Sequence, residues 1–371
     1  MAKRVLLVGG GHAHMMTLEA LDTFVKKGYE VTVIGPSEYH YYSGMGPGML
    51  GGIYTPEDIR FATRHVVEKQ GGKFILGKAT HVDPERKRVT TESGDEISYD
   101  VVSFNSGSHV PKLDVQGETK NIYTVKPIEK LKEAQIRIGA SLSEKPTRIG
   151  VVGGGPSSAE VAGNVWRFAD DLGNYSAEIT VFAGSQFMGR FPDGIRKRVL
   201  TSLSARGIKI VEGTHVKGIK EGSVILETGE EHDLDFIFLA LGVKPSAMFK
   251  NSGLPTGPDG GLLVNKFLQS TAYPDIFGGG DCIYFQDQPL DKVGVYAVRE
   301  NPVILHNLMA QLEGGALQPC DPGGDYLLIF NLGDGTGVFQ KKWLTFGGRT
   351  AFFIKDHIDR KFMGQFQAME S

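Results

Sequence analysis

The sequence predicts an α/β protein made of two doubly wound, parallel-sheet domains followed by a small C-terminal α+β region. Three observations predict it. Two glycine-rich strand-to-helix turns of the same kind stand 144 residues apart (153 minus 9), in Val5-Leu-Leu-Val-Gly9-Gly10-Gly11 and Ile149-Gly-Val-Val-Gly153-Gly154-Gly155. Each turn opens a unit with the same order: strand, helix, strand, short strands, and finally an aspartate, an apolar strand and a small-residue turn. Beyond the second unit the chain returns to strand character at Asp275-Ile-Phe-Gly278-Gly279-Gly280-Asp281. Two copies of one supersecondary grammar indicate duplicated domains rather than a solenoid.

The elements follow in order from apolar periodicity and from glycine and proline punctuation. The first unit reads as a strand over Arg4–Val8, a helix over about His12–Lys27 and a strand over Glu30–Ile34. A loop rich in Gly, Met and Tyr comes next, then a helical stretch near Glu57–Gln70. Short strands are expected over Lys73–Leu76, Thr80–Asp83, Arg88–Thr91 and Glu96–Tyr99, before Asp100-Val-Val-Ser-Phe-Asn105-Ser106-Gly107 closes the unit. The second unit reads as strand 147–152, helix 156–170, strand 177–182, helix 194–206 and short strands to about Glu227, closing on Asp235-Phe-Ile-Phe-Leu-Ala-Leu-Gly242. A helix from about Gly294 to Leu312, strands at 326–331 and 336–340, and a last helix over Thr350–Phe366 complete the chain.

A G-x-G turn between a buried strand and a helix lets backbone N–H groups approach a pyrophosphate at the positive end of the helix. One dinucleotide needs one such turn. Two turns point to two cofactors placed to exchange electrons, and the leading reading is a flavoprotein that also binds a pyridine nucleotide. The chain has 371 residues and a net charge of -3, with no basic arm or stripe, so nucleic acid is not an expected partner. No apolar run reaches the ~20 residues needed to cross a bilayer, and the first strand begins so early that no cleaved leader is expected. These features predict a cytoplasmic protein. The two cysteines, Cys282 and Cys320, form no C-x-x-C pair, and no His/Cys/Asp cluster has metal-ligand spacing, so no metal is expected.

Four motifs in order, Gly9-x-Gly11, Asn105-Ser106-Gly107, Gly153-x-Gly155 and Gly280-Asp281, resemble the FAD- and NAD(P)-binding pyridine nucleotide-disulfide oxidoreductases. The resemblance runs from about residue 3 to 312. Arg64-His-Val-Val-Glu68 and Glu96–Asp100 look like sulfide:quinone oxidoreductases and type II NADH dehydrogenases. Tyr42-Ser-Gly-Met-Gly-Pro-Gly48, Val293–Arg299 and Lys355–Met363 look closer to the oxidoreductase module associated with selenophosphate synthetases. The resemblance implies two Rossmann-like domains of the glutathione-reductase type. They are an FAD-binding domain over 1–115 and 250–318, an NAD(P)-binding domain over 116–249, and a C-terminal region over 319–371. It implies a flavin-dependent NAD(P)H dehydrogenase with a quinone-like acceptor. Sulfide or selenide oxidation, or a flavin-binding partner or redox sensor with weak catalysis, are the alternatives.

The same resemblance assigns the candidate residues. FAD would be held by Gly9, Gly11, His12, Ala13, His14, Ser43, Met45, Ala79, Asn105, Ser106, Gly107, Gly280, Asp281, Val295 and Tyr296. NAD(P) would be held by Gly153, Gly155, Ser157, Ser158 and Gly242. Asp281 would accept hydrogen bonds from the flavin ribityl chain. The helix starting near Gly294 would aim the Val295 and Tyr296 amides at the flavin ring, with Lys292 adding charge. Glu160, placed on the first turn of the second fingerprint helix, would face the flavin–nicotinamide contact. Departures are also plain: His14 stands in place of the third fingerprint glycine, and neither Gly35 nor Ala183–Gly184 supplies the usual ribose-binding acid. The second loss leaves NADPH open, with Arg190 able to assist. Ile354, Ile358, Phe362 and Phe366 at four-residue spacing, with six Lys/Arg against two Asp over 341–363, fit contact with a membrane surface, docking on the body of the protein, or an interface with a second copy of the chain. A membrane contact would put the protein on the inner face of the membrane.

Overall fold

The computed structural model describes residues 2–111, 113 and 115–371. Two five-stranded, all-parallel sheets organise it. In the first, the strand order is Lys73–Leu76, Glu30–Gly35, Arg4–Val8, Val101–Phe104, Ile276–Gly278. In the second it is Lys209–Val211, Ala177–Phe182, Thr147–Val152, Phe236–Leu239, Ile122–Thr124. Registers such as Val5↔Val31 and Ile149↔Ile179 put each glycine turn at the carboxyl end of a central strand. That edge is where doubly wound sheets bind ligands. The strands read as unbroken apolar runs because both faces are covered; Leu6, Leu7, Val102, Phe104, Val151 and Phe238 are fully buried.

Each unit carries an antiparallel excursion before its fourth strand, Ala79–Asp83 to Glu96–Ser98 in the first and Val216–Lys220 to Glu231–Asp233 in the second, where Val115–Gln116 adds a fourth, parallel strand. The fifth strand of each sheet comes from across the chain: Ile276–Gly278 follows the second unit, and Ile122–Thr124 precedes it. The two sheets are therefore stitched together twice.

Several elements differ from expectation. The helix expected over His12–Lys27 is three pieces: a 3-10 turn His12–His14, Met15–Glu19 and Leu21–Lys26, with Ala20 off helical geometry between the last two. The stretch near Glu57–Gln70 is split by a short strand, Arg60–Phe61, that pairs with His40–Tyr41. Helices Gly46–Leu50 and Glu129–Leu142 and the strand Leu344–Gly348 were not anticipated. The last helix spans Arg349–Gln367, and its buried face is Ala351, Lys355, Asp359 and Met363 rather than the apolar row at 354, 358, 362 and 366. No helix among the described residues is long and apolar enough to cross a membrane.

Candidate functional site

Gly9 adopts a φ of +95°, and a Cβ there would lie 2.1 Å from the carbonyl oxygen of Asn105. Only glycine allows that approach of the two strand ends. Beside this turn two buried polar atoms, His40 Nε2 and Thr63 Oγ1, have no hydrogen-bond partner. Thr63 and the His40 ring lie next to Gly10 and Gly11 respectively. Unsatisfied buried polar groups beside a glycine turn suit a polar ligand such as the phosphates and ribose of FAD. Asn105, standing where alanine is usual, donates from Nδ2 to Gly279 O at 2.8 Å and so ties the turn after Val101–Phe104 to the Gly280-Asp281 turn.

Asp281 is enclosed at the end of that tie. Its Oδ2 accepts from Ser108 Oγ at 2.6 Å and from Lys126 Nζ at 2.8 Å. Burial alone would raise its carboxyl, but Lys126 and Ser108 hold it below the ordinary range. Glu300, on the long helix Gly294–Glu313, is fully buried, takes the Gly280 N–H at 2.5 Å and leaves Oε1 without a partner. Burial pushes its carboxyl up to about 7. A narrow cavity lined by Gly280, Asp281, Lys292, Val293, Tyr296 and Glu300 opens beside these groups.

Some expected cofactor contacts are placed otherwise. His14 is fully buried, with Nδ1 on Gly9 O at 2.7 Å and Nε2 on Ser103 Oγ at 2.8 Å, so both ring nitrogens brace the turn and neither is left for phosphate. Lys292 is not a free charge: it pairs with Asp259 at 2.7 Å and donates to Ile283 O. The Tyr296 N–H is spent on Val293 O at 3.2 Å, and Val295 lies on the first turn of the helix Gly294–Glu313. Met45 is buried in the core and Ser43 carries the Gly46 N–H on its carbonyl, while Ala79 opens the antiparallel excursion. Ala13 is buried in the turn; Ser106 is exposed, and Gly107 is partly exposed beside it.

The second turn has the same construction. Gly153, at φ +139°, would place a Cβ 2.2 Å from Ala240 O, while Gly155 faces open space at the helix start. Ser158 Oγ is buried without a partner, Ser157 is exposed, and Gly242 stands at the neighbouring strand end. These features suit a second dinucleotide.

Between the two turns lies a polar group that sequence reasoning found only in part. Glu160 sits on the second turn of the helix Pro156–Leu172, not the first, and its Oε1 accepts the Asn331 N–H at 2.8 Å. Burial pushes its carboxyl up to about 7, against the opposing pull of Lys355 and the Asn331 amide. Lys355 reaches Asp359 Oδ2 at 2.6 Å and Gly44 O at 2.8 Å. Burial would lower its ammonium, but Asp359 and Glu160 hold it above the ordinary value. Tyr42 donates to Asp359 Oδ1 at 3.0 Å, and burial raises its phenol well above the usual range. The Tyr42 ring packs beside Phe362 and His12, with ring centroids 5.2 Å apart. His12 and His40 are edge-on at 5.2 Å; burial lowers them to about 4 and about 3, so both are neutral.

Lys355, Asp359, Tyr42, Lys126 and Glu300 carried no sequence assignment. The one available signal was a Lys–Asp pair at i,i+4 and a glutamate inside apolar helix faces. Cys282 is buried against Phe104 O and Gly279 O, and burial lifts its thiol to about 11 and that of Cys320 to about 12.

Residues 3–307 match the family model described as pyridine nucleotide-disulphide oxidoreductase. The chain belongs to that family. A type II NADH:quinone oxidoreductase of Staphylococcus saprophyticus is 26% identical, over 97% of this chain and 94% of the relative. The structure of NDH2 from Plasmodium falciparum in complex with NADH superposes with a TM-score of 0.83 at 15% identity, covering all of this chain and 97% of that one. The sulfide:quinone oxidoreductase of Aquifex aeolicus gives 0.77 at 20% identity, with 99% and 92% covered. Both structures share the two-sheet fold.

Proposed function

We propose that this protein is an FAD-dependent NAD(P)H dehydrogenase that passes electrons to a quinone-like acceptor at a membrane surface. The observation that carries the reading is the Glu160–Lys355–Asp359–Tyr42 group, set between the two glycine turns and roofed by the terminal helix. Bound FAD would supply the two-electron redox chemistry that links the dihydronicotinamide to the acceptor. The chain's own residues do the rest. The Gly9–Gly11 turn and Asp281 hold the flavin dinucleotide, and the Gly153–Gly155 turn holds the donor.

Reduction of a quinone consumes two protons and builds negative charge on its oxygens. Lys355, paired with Asp359 and bonded to Gly44 O, fixes the terminal helix beside this site and, through its charge, sets how readily Glu160 holds a proton. Glu160, poised near neutral pH, holds a proton on its carboxyl that it can give up, which is the property a general acid needs. Tyr42 and Phe362 present flat aromatic surface to a ring-shaped acceptor. Neutral His12 and His40 keep that surface uncharged.

The membrane reading rests on exposed apolar groups next to this site. Trp343 is 88% exposed and Phe353 69%, with Leu344 and Ile358 also exposed. Lys341, Lys342, Arg349 and Lys361 flank them. Aromatic and aliphatic groups ringed by lysine and arginine suit an anionic lipid interface. The test of function is anaerobic mixing of the flavin-loaded protein with NADH or NADPH, followed by a short-chain quinone. Bleaching of the flavin absorbance by a dinucleotide and its return on adding the quinone are expected. A flavin that neither dinucleotide bleaches would exclude the donor half, and one that the quinone does not reoxidise would exclude the acceptor half.

A further inference from the structure

We infer that the donor site prefers NADPH over NADH, with Arg190, His215 and Ser185 receiving the 2′-phosphate. The inference rests on the reading of the Gly153–Gly155 turn as the nicotinamide-dinucleotide site. In a doubly wound domain the adenosine ribose lies off the end of the second strand; an acid there takes its hydroxyls, whereas a nearby arginine accommodates the phosphate. Here that strand, Ala177–Phe182, runs into Ala183-Gly184-Ser185, and the loop 183–192 contains no carboxylate at all.

The loop is anchored as a platform against the glycine turn. Met188 N–H donates to Gly154 O at 2.7 Å, and a Cβ on Gly154 would lie 2.4 Å from Ala183 O and 3.1 Å from Gln186 O. Phe187 and Met188 are buried beneath, while Ser185, Gln186, Gly189 and Arg190 face out. His215, from the adjoining strand end, lies across Gly184. Its Cδ2 is 3.0 Å from where a Cβ would stand, and Gly184 has a φ of +72°, so no side chain fits between. His215 Nε2 is 3.2 Å from Ser185 Oγ, and the His215 side chain is 60% exposed. A histidine and a serine thus occupy the corner where the usual acid would be.

The acids nearby are engaged. Glu212 takes both of its bonds to Arg196 at 2.9 Å and also accepts the Phe187 N–H. Glu227 lies 3.4 Å from His215 Nδ1, on the side of the ring away from Ser185. Arg190 has no ion pair among the described residues. A guanidinium with no ion pair among the described residues and a hydroxyl and an imidazole nitrogen facing away from Glu227 suit a phosphate dianion, whereas a ribose hydroxyl pair lacks here the carboxylate acceptor that would favour it.

The experiment is calorimetric titration of the flavin-loaded protein with adenosine 2′,5′-bisphosphate and with 5′-AMP, alongside KM values for NADPH and NADH. The bisphosphate should bind at least roughly tenfold tighter than AMP. Arg190→Ala should weaken the bisphosphate by roughly 10- to 100-fold, the size of one charge-assisted hydrogen bond, and leave AMP within about twofold. His215→Ala should shift the same ratio in the same direction. Equal affinity for the two probes, or a ratio unmoved by Arg190→Ala, would overturn the inference while leaving the donor site intact. Failure of both probes and both dinucleotides to bind would overturn the donor site itself, and the inference with it.

Discussion

Replacing Glu160 by glutamine tests whether its carboxyl sits where the geometry says it does. The folded protein holds this group up at about 7, against an ordinary 4.5. An acid whose folded value is raised binds its proton more tightly when native. Stability from that proton is fully present below pH 4.5 and is lost as the pH rises through about 7. The interval of 2.5 pH units, at about 1.36 kcal/mol each, gives a cost of about 3 kcal/mol above pH 7. That is a ceiling, because Glu160 keeps partial exposure. Glutamine keeps an oxygen for the Asn331 N–H and cannot ionise, so the variant avoids the cost. At about 2.1 cal/mol/K of unfolding entropy per residue over 371 residues, 3 kcal/mol is worth about 4 °C.

The assay is the melting temperature of both proteins, flavin-saturated, from pH 5 to pH 8. The two should differ by only about 1 °C at pH 5, and Glu160→Gln should melt higher by up to about 4 °C at pH 8. Glu300 adds a slope of the same sign to both proteins, so the difference curve isolates Glu160. A difference that stays flat with pH, or reverses, would refute the assignment.

Lys355→Met should strand Asp359 and Glu160 as poorly compensated carboxylates, costing about 3–5 kcal/mol in chemical denaturation, and should slow flavin reoxidation by quinone more than reduction by NAD(P)H. Asp281→Ala should cost FAD retention, read as lost visible absorbance after gel filtration; full retention would remove Asp281 from the flavin site. Because both thiols are held protonated at neutral pH, the Cys282→Ser, Cys320→Ser double variant should keep NAD(P)H turnover within about threefold, measured by nicotinamide absorbance. Trp343→Ser with Phe353→Ser should reduce co-sedimentation with anionic vesicles without changing turnover on a water-soluble quinone. A shift from dimer to monomer with unchanged vesicle binding would assign the patch to a second copy instead.

The two sheets were legible because parallel strands buried on both faces read as apolar runs that end in glycine. The helix Glu129–Leu142 escaped although Leu131, Ala134, Ile138 and Leu142 keep helical spacing, since Gly139 and the polar residues between dilute the pattern. Gly46–Leu50 read as loop because Gly46, Pro47 and Gly48 are poor helix formers. Tertiary packing overrides that preference, and a Cβ on Gly48 would lie 2.5 Å from the Tyr54 ring. On the terminal helix, two rows share a four-residue period, one apolar and one containing Lys355 and Asp359. Hydrophobicity favours the apolar row for burial. Only the partners supplied by Tyr42, Gly44 and Glu160, from distant parts of the chain, make the charged row the buried one.

The last fifty residues fasten the molecule from both sides. Asn331 and the Leu332–Gly333 bend clasp the Pro156–Leu172 helix so closely that a Cβ on Gly163 would stand 2.1 Å from Leu332 O. The terminal helix grips Tyr42 and Gly44, in the loop between His40–Tyr41 and Gly46–Leu50 of the first unit. The spacing between the two units that carry the glycine turns is therefore held by a third segment, like a spacer clamped between two plates. Trimming the tail to improve solubility would free both plates, and bound cofactors would lose their alignment before either sheet came apart.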